Sequence, residues 1–410
     1  MISLAPPSST RAGQFPWPLA WLIALVALVA REPVMLVVLG LVAVAGLVAE
    51  TTGRVAQARL RLRVSLSASR VVAGEEVDCV VEVDNAKPMP LTWCDVHIPL
   101  PEGVELADAG PGHARSRLAA TFGIGANERV RFRFRVLAAQ RGAYAIGAAR
   151  IRTGDWLGFF SDERDAGELA VLVVYPRPLQ ARMRDVPAFR PLAERATRRG
   201  LLTDPTRFAG VREHRAGDAR KDIHWKASAR TGRLQTRVFD PSTSGDVVFL
   251  VNVASHPSYW IQADPDAVEA AISAASTLLR QAEEEGRRAA LVTNGIDAVT
   301  RERPRARLGR GPARLRRGLE ILARLSPYAV GTPERIFLRE QARLAFGATL
   351  VCVTPSITAA LARALARLRR GRHRVLAVSV APIADDIAAY CGARRVDTQE
   401  LGYGRRRRAV

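Results

Sequence analysis

The chain has 410 residues, enough for two or three domains, and its 48% hydrophobic content excludes global disorder. The formal net charge is +21, but only three of the 61 basic residues are lysine (Lys87, Lys221, Lys226), so the excess reads as an arginine-rich genome composition more than as a nucleic-acid signature. The four cysteines (Cys79, Cys94, Cys352, Cys391) form no C-x-x-C pair and no Cys/His cluster, which speaks against zinc and a disulfide framework and fits a reducing compartment.

Two apolar runs, Phe15–Ala30 and Val34–Ala49, are separated only by Arg31-Glu32-Pro33. Pro33 cannot continue a first helix, so residues 1–54 are expected to form a two-helix transmembrane hairpin. Trp17 and Trp21 suit the interfacial belt. Arg54, Arg59, Arg61 and Arg63 follow the hairpin, so the positive-inside rule puts both termini in the cytoplasm of a cell with the hairpin in its inner (cytoplasmic) membrane. Membrane lipids would then be contacted through the hairpin.

Residues 55–176 alternate apolar and polar positions in segments such as EVDCVVEVDN and RVRFRFRV, broken by Gly, Pro and Asn. In the second segment Val130, Phe132, Phe134 and Val136 face one way and the arginines the other. The pattern predicts an all-β sandwich.

Residues 177–233 read as a basic linker ending in a charge-dense motif, GVREHRAGDARKDIHWKASARTGRLQTR (210–237). Gly217-Asp218 is expected to turn and cap a following helix, Asp222 and Lys226 stand in the favourable i,i+4 order, and Gly232 ends the helix. A tryptophan among arginines and lysines is the composition of interaction hot spots. Arg212, Glu213, Arg215, Asp218, His224, Trp225, Lys226 and Arg230 are therefore the candidate partner-binding residues. LQTRVFD is expected to return as a strand and hairpin with VVFLVNVA through PSTSGD.

From 234 to 410, apolar runs VVFLVNVA, AALVTNG, ATLVCVTP and RVLAVSVAP alternate with helical patterns. This predicts a parallel, doubly wound α/β domain whose ligands would sit at the carboxyl ends of the strands. No lysine follows a glycine in a P-loop, no H-E-x-x-H or G-x-S-x-G occurs, and the six histidines lack ligand spacing. No enzyme activity, cofactor or metal is expected.

The run Arg212-Glu213-His214-Arg215, Gly217-Asp218 and Ile223-His224-Trp225-Lys226-Ala227-Ser228-Ala229-Arg230 resembles the signature of the domain-of-unknown-function-58 family, and RGAYAIGAARIRTGDWLGFF (141–160) is similar to that family's upstream layout. The resemblance implies a bacterial membrane protein combining a β-sandwich with a von Willebrand factor A-like domain. It also implies a non-enzymatic adaptor working with a MoxR-type AAA+ ATPase, or another protein partner, in assembly or maturation of envelope or enzyme complexes. Many relatives carry an Asp-x-Ser-x-Ser adhesion motif after the first central strand. Here Asn252, Ala254 and His256 stand in that frame, a degenerate metal site without its carboxylate. The alternatives are a nucleic-acid-binding membrane protein and an envelope-polymer hydrolase.

Overall fold

A computed structural model describes residues 10–12, 18, 25, 33–56, 58–108, 116–155, 161–179, 208–215, 218–239, 246–258, 264–341, 348–370 and 373–401. The chain divides into two compact units, Met1–Tyr175 and Pro176–Val410.

In the first unit the second apolar run forms helix α1 (Pro33–Val55), while the first run, apart from Pro18 and Leu25, lies outside the described residues. Among the described residues no helix is long and apolar enough to cross a membrane, which overturns the two-helix transmembrane hairpin. The physical reason is visible in α1. Its apolar part, Val34–Ala49, rises only about 24 Å at 1.5 Å per residue, short of a hydrocarbon core of about 30 Å. The helix then runs on through Glu50, Thr51 and Thr52, and Ala49, Thr52 and Ala56 are buried. Its end is held by the β-domain: the Lys87 ammonium donates to the Val55 carbonyl at 3.0 Å and to that of Ala56.

The β-strands of this unit are β1 (Thr10–Ala12), β2 (Leu60–Leu66), β3 (Arg70–Val72), β4 (Glu76–Asn85), β5 (Leu91–Pro99), β6 (Val104–Leu106), β7 (Arg117–Ile124), β8 (Arg129–Ala138), β9 (Gly142–Ile146), β10 (Ala149–Gly154), β11 (Ser161–Ala166) and β12 (Ala170–Tyr175). They form sheets ordered β1-β11-β10-β5-β7, β2-β4-β8-β6 and β3-β12-β9, which share one core. Period-two alternation explains it. Val77, Cys79, Val81 and Val83 of β4 point inward beside Val96 and Ile98 of β5 and Leu172 and Val174 of β12. On the outer face the acidic side chains of β4 lie across from β8 arginines, with Glu82–Arg131 at 2.6 Å and Asp84–Arg129 at 3.3 Å.

The second unit holds β13 (Phe208–Glu213), α2 (Trp225–Thr231), β14 (Gln235–Phe239), β15 (Val247–Val251), α3 (Pro265–Glu284), β16 (Ala289–Thr293), β17 (Gly295–Asp297), β18 (Arg305–Gly309), α4 (Pro312–Arg324), β19 (Leu325–Ala329), α5 (Pro333–Glu340), β20 (Thr349–Thr354), α6 (Ala359–Arg370), β21 (Arg374–Ser379), α7 (Asp385–Ala393) and β22 (Asp397–Glu400). Six strands make one sheet in the order β18-β16-β15-β20-β21-β22, with every pair parallel except β16–β18. All five residues of β15 and all six of β20 are buried, as a two-sided central strand requires. Val248 and Leu250 join the core under α5 and α6, while α3 lies against β15 and packs on α4. The chain leaves β15 for β16 on one side and returns to β20 on the other, so the switch of strand order falls between β15 and β20.

The expected hairpin between LQTRVFD and VVFLVNVA does not form. Both edges of β15 are taken by β16 and β20, so β14 pairs instead with β13, antiparallel, Arg212 opposite Thr236.

Candidate functional site

Two places collect the residues singled out in the sequence: the β13–α2–β14 module and the carboxyl ends of the central strands.

In the module, the side chain of Asp218 does not cap a forward helix. It turns back, accepting two bonds from the Arg212 guanidinium at 2.7 and 2.8 Å and one from the Arg215 amide at 2.9 Å. The Arg212 hydrogen bonds, with that amide, hold its carboxyl down at about 2, and the same pairing raises the Arg212 guanidinium. The cap belongs to His224, whose Nδ1 accepts from the Ala227 amide at 3.1 Å. The His224 amide donates to the Gln235 carbonyl, and Ser228 Oγ donates to the His224 carbonyl while accepting from the Gln235 amide. Ile223, buried, bridges Thr236. These bonds stitch α2 onto the free edge of β14. Gly232 ends the helix in the left-handed conformation (φ 66°), where a side chain would be strained.

The Asp222–Lys226 pair foreseen for one helix does not form among the described residues. Arg220–Asp222 is a separate 3₁₀ turn, and extended Ile223 breaks the helical register before α2 begins.

The result is an outward helical face. Trp225, Lys226, Ala229 and Arg230 are all exposed, while Ala227 and Ser228 turn towards β14. Trp225 is 68% exposed, unusual for the largest side chain. Leu234 (48%) and Val211 (44%) are also open to solvent in the same module. Glu213 pairs with Arg233 at 3.3 Å.

His214 Nδ1 lies 2.8 Å from Thr236 Oγ1 and 3.9 Å from Asp218 Oδ2. A relay of hydroxyl, imidazole and carboxylate needs the two ring nitrogens to divide those contacts. Here both fall on one nitrogen, and Thr236 is buried. Through His214 the end of β13 is tied to Thr236 of β14.

At the strand tips, Asn252 follows β15 and is 2% exposed. Its Nδ2 donates to Thr354 Oγ1 (2.8 Å) and the Ala254 carbonyl (3.0 Å), while Oδ1 accepts from the Ala254 amide (2.9 Å) and Asn294 Nδ2 (2.8 Å). Both donors and both lone pairs are engaged. Ser255 Oγ accepts from the Asp264 amide that opens α3, and Thr354 Oγ1 also donates to the Ser356 carbonyl. His256 is exposed in the following turn, where its Nδ1 accepts from Ser258 N at 3.3 Å. The Asn252 amide thus ties three strand ends together. Among the described residues no group of three or more His, Cys, Asp or Glu could hold a metal ion.

Fold and site together define a β-sandwich unit joined in sequence to an α/β unit that carries an exposed aromatic–cationic module. Residues 210–402, most of that module and all of the six-stranded sheet, match the family described as Protein of unknown function DUF58. The chain is similar to a protein of Bacillus subtilis (strain 168) described as Uncharacterized protein YeaD, with 25% identity over 230 residues, 54% of this chain and 53% of that protein. It thus spans about half the length of the relative it matches. Solved structures give fainter likenesses over 28% of the chain. They include the CARDB domain of PF1109 from Pyrococcus furiosus (11% identity, 93% of that chain, TM-score 0.18) and a non-cellulosomal cohesin from Archaeoglobus fulgidus (10%, 91%, 0.20). At such TM-scores they decide nothing about this chain.

Proposed function

We propose that this chain is a non-enzymatic interaction protein whose β13–α2–β14 module docks a protein partner on the platform of the α/β unit. The observation that carries this reading is Trp225, held 68% exposed on the outward face of a helix whose inward face is bonded in place through His224 and Ser228. A large ring costs free energy in water, and solvent-facing aromatic–cationic groups are where interface energy concentrates. The absence of an enzymatic role is supported by the single-nitrogen contacts of His214 and by the engaged Asn252 amide. The family resemblance supplies the partner class, a MoxR-type AAA+ ATPase, and a von Willebrand A-like character for the α/β unit. The work would be assembly or maturation of envelope or enzyme complexes.

Quantitative pull-down of a Trp225→Ala/Arg230→Ala variant against the wild type tests the reading, with circular dichroism to show an unchanged fold. Loss of a discrete wild-type partner is expected, at a cost of about 2 kcal/mol or more for a hot-spot aromatic. Full retention of every partner by a folded variant contradicts it.

A further inference from the structure

We infer that the outer face of α2 receives an acidic stretch of the partner protein, its carboxylates against Lys226 and Arg230 and one apolar side chain against Trp225. This rests on the docking reading above. At 3.6 residues per turn Trp225, Ala229, Lys226 and Arg230 fall within an arc of about 140°, with the small Ala229 between the longer side chains as a floor.

Charge supply in the module is one-sided. Residues 208–239 hold eight cationic side chains and three carboxylates. Asp218 is committed to Arg212 and Glu213 to Arg233, and Asp222 belongs to the preceding turn. Among the described residues Lys226 and Arg230 meet no carboxylate. Standing i,i+4 they repel one another, a cost that an arriving carboxylate removes. Single-stranded nucleic acid would call for successive aromatic platforms, whereas this face offers one indole. A lipid surface would call for a broad apolar stripe, and here a cation sits beside each apolar position. One ring and two cations fit an acidic polypeptide carrying a single apolar anchor.

The test is fluorescence anisotropy on the full chain with a fluorescein-labelled Asp/Glu-rich peptide containing one leucine. Competitors are the Asn/Gln version of that peptide, phosphatidylglycerol vesicles and oligo-dT. The acidic peptide is expected to bind, to weaken with added salt, and to weaken about tenfold or more in Lys226→Glu and in Arg230→Ala. The Asn/Gln peptide is expected not to compete. Equal binding by the amide peptide, unchanged binding by the variants, or vesicles or oligo-dT occupying the face in preference to the peptide overturns the assignment. If the peptide fails while Trp225→Ala/Arg230→Ala still loses its partner, docking stands and the acidic chemistry falls. If the pull-down is also unchanged, both fall.

Discussion

Asn252 and His224 show how single side chains shape the strand tips and the β13–α2–β14 module. The Asn252 amide supplies two donors, and both are spent on Thr354 and Ala254, closing the strand tips on themselves. His224, a candidate contact residue in the sequence, is turned inward as the cap of α2, so its role is to position Trp225. Of the other candidates, Arg212 and Asp218 are spent on each other, while Trp225, Lys226 and Arg230 are exposed and the two cations meet no carboxylate among the described residues. Sequence spacing revealed the motif as a block but not this division of labour. A His three residues before a backbone amide carries no mark of capping. Another histidine makes a pH prediction. His373 is buried, its Nδ1 has no hydrogen-bond partner among the described residues, and burial pushes its pKa below the ordinary value against the raising effect of its bond with the Ala348 backbone. The fold therefore favours neutral imidazole. The unfolded chain takes up the proton first, so the stability contributed is present above pH of about 6.5 and is lost as the pH falls below it. Chemical denaturation between neutral and mildly acidic pH should show this decline, and His373→Leu should flatten it.

At the level of elements, α1 depends on a residue far from it in sequence. Lys87 is 2% exposed, and burial draws its pKa down to about 8, yet it is placed where the last carbonyls of α1 need donors. Lys87→Met keeps the stem and removes the ammonium, taking the donor from the Ala56 carbonyl and leaving the Val55 carbonyl with only the Ala58 amide. A loss of about 1–3 kcal/mol is expected. Hydrogen exchange of the Thr52–Ala56 amides should speed up relative to those of β4, and uniform exchange would show that the bond holds nothing. Period-two strands such as β4 and β8 and the apolar strands β15 and β20 were legible in the sequence because burial on one or two faces leaves a direct pattern. The partner of β14 was not, because a turn-rich PSTSGD argues for a hairpin while the occupancy of both β15 edges is a property of the whole sheet. The antiparallel edge strand β18 escaped too, since RARLG is short and basic. The transmembrane hairpin was misread for a related reason: hydropathy scores the run of residues and cannot see that the end of α1 is bonded into a β-domain.

For the molecule as a whole, nearly all of the net charge of +21 falls in the second unit, since acidic and basic residues almost balance in Met1–Tyr175, and charge alone would suit many anionic partners. What singles out the β13–α2–β14 module is that cations pairing with no carboxylate among the described residues meet an open indole on a helix fixed from behind. The exposed apolar residues of the sandwich, Leu169 and Val171 on and beside β12, lack that setting and serve as an internal control. A photo-reactive amino acid placed at Ala229, and separately at Val171, in the full chain expressed in its native host decides the matter most directly. The account predicts one discrete cross-linked protein from position 229, absent from position 171 and lost when Trp225→Ala is added. Equal products from both positions, or a product at 229 indifferent to Trp225, would contradict it.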